Sequence, residues 1–137
     1  MALSYKPAKQ VMSKKEIKHP DKSVSTGAYS AGVLIDGWLY VSGQGPVDLS
    51  TGNVVHASIE EETLHTLSHV KKIVEAAGGS IHDIVKCTVH LADIADFDRY
   101  NAVYASFFSG ILPARTTVQS VLSDGIKIEI DAIARIK

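Results

Sequence analysis

The chain is predicted to be an α+β protein: one sheet in the order β-β-α-β-α-β-β, with two helices on one of its faces. Three observations predict this. Apolar residues recur at helical spacing in two stretches, near residues 58–77 and 96–109. Apolar and polar residues alternate in shorter runs, as in Val85-Lys86-Cys87-Thr88-Val89-His90-Leu91. Asp36-Gly37 lies between two such runs, where a two-residue hairpin turn belongs. Two helices cover one face of a sheet this size. The other face keeps aromatic and apolar side chains, so it is expected to pack against another subunit.

The first 24 residues are polar and follow no clear period. Residues 1–22 hold six lysines and two acids, so 1–24 reads as a basic, poorly ordered tail, with room for a short edge strand at its end. Residues 25–137 read as one domain. Ala31–Ile35 and Trp38–Ser42 are the strands flanking the Asp36-Gly37 turn. Gly43-Gln44-Gly45-Pro46 is expected to end the second, because two glycines and a proline disfavour ladder pairing. The first helix starts at Ser58, which can cap it, with Glu61 three residues on as a capping box requires. Ile59, Thr63, Leu67, Val70, Val74 and Ala77 form its apolar stripe, and Gly78-Gly79 stops it. Val85–Leu91 is a strand with Cys87 on its buried side, read as an inert core residue. The second helix runs from Asp96 to Ser109, with Phe97, Tyr100, Tyr104 and Phe107 on one face and Asn101 at its edge. Arg115–Leu122 and Ile126–Ile136 are the last strands, joined by a hairpin turn at Ser123-Asp124-Gly125.

The totals exclude several classes. The 137 residues are 45% hydrophobic and 21% charged, as in a globular chain with a real core. A net charge of −1 gives no reason to expect a nucleic acid partner. Cys87 is the one cysteine, which rules out an intrachain disulfide and fits a reducing compartment. No run is long and apolar enough for a bilayer span or a secretory signal, so a cytoplasmic protein without membrane contact is expected.

Leu112–Gln119 places one arginine, Arg115, in a neutral run at a strand start. A fixed guanidinium there suits a carboxylate, gripped by two parallel hydrogen bonds. A strand-end arginine paired to a surface acid explains the stretch equally well. If the last two strands pair as a hairpin, Arg115 and Glu129 lie close, either as an anion clamp beside a general base or as a cross-strand ion pair. Ser42-Gly43-Gln44 offers backbone amides to an anion or a polar substrate atom, or is a plain strand-ending turn. His65 and His69 have metal-compatible spacing but lie opposite the apolar stripe, with no third ligand in view, so a solvated face is expected. No phosphate-binding loop, dinucleotide fingerprint or nucleophile elbow occurs.

Taken together, six pieces resemble the Rid family, the reactive intermediate deaminases also called YjgF-like proteins. They are Gly-Ala-Tyr-Ser at 27–30, Tyr-Val-Ser-Gly-Gln at 40–44, Val-Lys-Cys-Thr-Val at 85–89, Asp-Phe at 96–97 followed by Asn101, Pro-Ala-Arg at 113–115, and Ile-Glu-Ile-Asp-Ala-Ile-Ala at 128–134. The resemblance implies a chorismate-mutase-like fold, a homotrimer with clefts between subunits, and no cofactor or metal. It implies hydrolysis of short 2-imino acids such as 2-iminopropanoate and 2-iminobutanoate to 2-oxo acids and ammonia. Arg115 would bind the substrate carboxylate, and Glu129 would orient water and move its proton. Tyr29, Ser42, Gly43, Asn101 and Thr117 would complete the substrate site. Thr117 stands where many members have cysteine, and Gly45 where a branched apolar residue is common. The alternative reading is a non-catalytic trimer of the same fold that binds small carboxylates or acts in regulation or as a chaperone.

Overall fold

The computed structural model describes residues 13–137. Strand β1 is Lys15–Ile17, β2 is Gly32–Ile35 and β3 is Trp38–Gln44. Helix α1, Ile59–Ala76, follows, then β4, Ile84–Leu91, and α2, Phe97–Phe107. Strands β5, Ala114–Gln119, and β6, Ile128–Arg135, complete one six-stranded sheet in the order β1-β2-β3-β6-β4-β5.

Local chemistry explains most of these elements. Ile35 pairs with Trp38 across the Asp36-Gly37 turn. Asp36 and Gly37 take φ of 50° and 75°, the two left-handed residues of the tight turn that follows strand twist. The Ser58 hydroxyl accepts the Glu61 amide proton at 3.1 Å, the hydroxyl half of the predicted box, while three glutamates sit in the positive first turn of α1. Of the expected α1 stripe, Ile59, Thr63, Leu67, Val70 and Val74 are buried and Ala77 is partly so, while Ile73 joins the buried face. The apolar ones pack with Leu39, Cys87, Val89, Ile128, Ile130 and Tyr100 in one core between sheet and helices. Each such side chain contributes on the order of 1.5–3 kcal/mol by leaving water. Burial also raises the Cys87 thiol pKa, in keeping with an inert core residue.

Several expectations change. The predicted hairpin between the last two strands does not form. β5 runs parallel to β4, with Arg115 opposite Cys87, and β6 lies between β3 and β4. Ser123-Asp124-Gly125 is a single helical turn whose Asp124 and Gly125 have positive φ. It redirects the chain rather than pairing its flanks. Strand β3 continues through Gly43 and Gln44, with a register irregularity against β6 between Val41 and Gln44. The part of the 1–24 stretch that the structure describes packs on the domain. β1 pairs with β2, and Ile17 and His19 are 5% and 3% exposed.

Among the described residues, no helix covers the second face of the sheet. Trp38 and Tyr40 remain 39% and 49% exposed there. Strand alternation and register put Val33, Ile35 and Ile133 on the same side.

Candidate active site

Glu129 is the natural starting point. It sits on β6 among residues whose alternate neighbours, Ile128 and Ile130, are fully buried. Alternation therefore turns Glu129 to the helix-free face. Its carboxylate lies against Gly43 of β3. A Cβ at residue 43 would come within 2.7 Å of Glu129 Oε2, so glycine is what lets the acid reach the backbone there. Both residues line a cleft of about 410 Å³, with Tyr29 on another wall. Tyr29 is half exposed, its hydroxyl bonded to Thr26 Oγ1 and its ring 4.8 Å from the Lys22 ammonium.

Ser42, placed by sequence in the substrate site, faces the chain itself. Its hydroxyl donates to the Ser30 carbonyl at 2.6 Å and its amide to the Ala31 carbonyl at 2.9 Å. It therefore ties β3 to the segment that follows Tyr29.

Arg115 belongs to a second cluster. Its Nη1 donates to Asn101 Oδ1 at 2.7 Å. Its guanidinium lies 4.8 Å from the Tyr104 ring centroid, 5.4 Å from that of Tyr100 and 5.6 Å from that of Phe97. These rings brace the cation, and the bond to Asn101 uses one of the five N–H donors of the guanidinium. Thr117 Oγ1 bonds the Tyr100 hydroxyl at 2.5 Å, so the same helix face braces both residues of β5. Burial raises the pKa of both tyrosines, which keeps them neutral beside the cation.

The two clusters do not meet within one chain. Arg115 is level with Cys87 and Ala132, whereas Glu129 is level with His90. They are two strands apart, about 10 Å across the sheet, offset by three residues, a further 10 Å or so along it, and point to opposite faces. The expectation that a hairpin would set them side by side is thus overturned by the insertion of β6 between β3 and β4. Arg115 lies on the helix-side face of the sheet, beside Tyr100 and Tyr104. Tyr29, Gly43 and Glu129 form one group; Asn101, Arg115 and Thr117 form another. β5 is an edge strand, so the second group stands at the rim of the molecule.

The histidines also differ from expectation. His69 is 8% exposed rather than solvated. The Asp21 amide donates to His19 Nδ1 at 3.0 Å, which makes that nitrogen an acceptor and leaves the proton on Nε2. His19 Nε2 then donates to His69 Nδ1 at 2.9 Å, and His69 Nε2 to the Val47 carbonyl at 2.8 Å. Both ring nitrogens of His69 are engaged, so the pair at 65 and 69 is not arranged for a metal. Burial lowers the His19 pKa to about 4 and also lowers that of His69.

Sequence reasoning missed Glu62. It is fully buried and accepts from the amides of Ala57 and Lys127 and from the Lys127 ammonium. Lys127 lies two residues before Glu129, so this carboxylate fixes how the strand bearing the acid begins. The signal was an acid at a position flanked by the apolar stripe, hidden by its place in a run of three glutamates.

The sequence matches a family model described as Endoribonuclease L-PSP over residues 20–136. A RutC family protein of Saccharolobus solfataricus is 46% identical over 123 residues, spanning 88% of this chain and 98% of that protein. The 2-iminobutanoate/2-iminopropanoate deaminase of Rattus norvegicus is 43% identical over 122 residues, spanning 88% of this chain and 89% of the other. Among solved structures, E. coli TdcF with bound serine matches with a TM-score of 0.83 at 37% identity, covering 90% of this chain and 99% of that one.

Proposed function

The chain belongs to the endoribonuclease L-PSP family, the Rid or YjgF-like proteins, and from that premise we propose that it hydrolyses 2-imino acids to 2-oxo acids and ammonia. The observation that carries the proposal is the division of the site into two complementary halves. One half has an acid and backbone in a cleft; the other has a braced cation at an edge strand. Neither half alone accounts for binding and hydrolysis of a carboxylate-bearing imine.

The halves complete one another if copies of the chain assemble with the uncovered sheet face inward, as a homotrimer with clefts between subunits. Arg115 of one copy then holds the substrate carboxylate, and Asn101 and Thr117 steady that side. Glu129 of the next copy orients a water against C2, with Tyr29 and the Gly43 backbone shaping the cleft. The imine carbon is already electrophilic, so orientation supplies much of the rate. With the imine nitrogen protonated, Glu129 takes a proton as water adds, giving a neutral carbinolamine. It returns that proton to nitrogen; the C–N bond then breaks, ammonia leaves with the bonding pair, and the carbinol O–H proton passes to Glu129 or to water as the C=O bond forms. Every step uses side chains and water.

The test generates 2-iminopropanoate with an amino acid oxidase and follows its decay. Glu129→Gln is expected to lose about 10²–10⁴-fold in kcat. Arg115→Ala should lose chiefly kcat/KM. Co-assembling the two inactive variants should restore part of the activity, because some clefts then receive both intact halves. A site confined to one chain gives no restoration. No acceleration by the unaltered protein, with tight binding of a 2-oxo acid, favours a carboxylate-binding trimer without catalysis.

A further inference from the structure

The charged residues lining the Glu129 cleft are both acids, Glu129 itself and Asp124. Asp124 is exposed, on the single helical turn Ser123–Gly125 that leads into β6. Ile126 is buried directly after that turn, and its amide donates to the Ser123 carbonyl at 3.3 Å, so the turn is anchored. The lysines close by in sequence or space are committed elsewhere. Lys127 Nζ donates to the Ala57 carbonyl and to Glu62. Lys22 lies over the Tyr29 ring and lines a neighbouring hollow with Glu16 and Lys18, not this cleft. Among the described residues, neither cleft acid is in an ion pair. One sign of charge in a concave site concentrates its field on whatever enters.

The rest of the lining suits a polar guest. Ser25, Thr26, Thr51 and Ser123 border the same cleft as the two acids. A three-carbon imino acid has only six non-hydrogen atoms, whereas a cleft of about 410 Å³ lies in the range that takes far larger ligands. A longer side chain therefore has room beyond the reacting carbon, among hydroxyls and a second carboxylate. A cationic group there is attracted by Asp124 as well as by Glu129. An anionic group faces two like charges with no cation of the cleft to offset them, which discriminates against it.

We infer that Asp124 selects the substrate by charge, and that the preferred imino acids carry a cationic side chain, as derived from arginine. The inference rests on the hydrolysis proposed above. With the substrate carboxylate on Arg115 and C2 at Glu129, the side chain extends along the cleft toward Asp124. The expected order of kcat/KM is 2-imino-5-guanidinopentanoate, then 2-iminopropanoate, then 2-iminopentanedioate, each made from its amino acid by an oxidase. Asp124 has a left-handed φ of 57°, which asparagine and glycine adopt readily, so Asp124→Asn and Asp124→Gly both keep the turn. Each should lower the ratio of the first substrate to the last about tenfold, and added salt should shrink that ratio in the unaltered protein. An unchanged ratio in both variants overturns the inference, as does a ratio indifferent to salt. Calorimetric affinities for 5-guanidino-2-oxopentanoate and 2-oxopentanedioate, measured on the same three proteins, separate the two proposals. Tighter binding of the guanidino acid, lost in Asp124→Asn, without any turnover supports the charge selection and removes the reaction. Equal affinities beside intact turnover remove the charge selection and leave the reaction.

Discussion

Gly43 has no room for a side chain, and the atom in the way is Glu129 Oε2. Its φ is not left-handed, so alanine does not strain the backbone. Gly43→Ala should therefore displace the acid while leaving the fold intact. A shift near 1 Å costs up to about 100-fold in rate. Steady-state imine hydrolysis beside a thermal melt checks this: kcat falls and Tm moves little. Arg115→Lys asks a different question at the same scale. Lysine keeps the charge but loses the planar fork and its stacking on Tyr104, so KM should rise by at least about tenfold. An unchanged KM would show that charge alone matters. Both residues were legible in the sequence as types. Their neighbours were only partly so: Asn101 stood at the edge of an aromatic stripe, but nothing local said that the stripe would cradle a guanidinium.

Between elements, the His19–His69 pair joins the segment after β1 to α1 and to the cleft wall at Val47. Each ring is neutral in this chain of donors and acceptors, and protonating His19 Nδ1 would set it against the Asp21 amide. The sign follows from the depressed pKa. Unfolded histidine titrates near 6.5 and folded His19 near 4, so between those values the unfolded state binds more protons. Stability should be full above about pH 6.5 and fall on the order of 3 kcal/mol as pH drops toward 4. Urea unfolding at pH 7.5 and pH 4.5 measures it, and His19→Gln should flatten the difference. A slope unaffected by His19→Gln would place the titration elsewhere. Helical periodicity put His69 on a solvated face because periodicity describes one helix alone. It carries no information about a distant segment, residues 17–21, lying across that face.

For the whole molecule, the decisive feature is the pairing order. Hairpin turn chemistry identified Asp36-Gly37 correctly, because both flanks of that turn had each other as partners. The same chemistry at Asp124-Gly125 misled, since β5 found β4 through the crossover helix α2 and left β6 to join β3 and β4. A turn states how the chain bends, not which strand accepts the next ladder. That topology separates Arg115 from Glu129 and, among the described residues, leaves an apolar sheet face uncovered. Sedimentation should give three times the 14.7 kDa chain mass. Tyr40→Glu puts a charge in the middle of that face and should yield a folded monomer without hydrolytic activity. A monomeric but fully active variant would refute a site shared between copies.

The buried carboxylate of Glu62 acts as a rivet between the opening turn of α1 and residue 127. Its far side lies two positions from the acid that faces the cleft, so wear at the rivet becomes a change of aim. A random-mutagenesis screen for sluggish turnover should accordingly return lesions at 62 and 127, although neither side chain touches the reacting molecule.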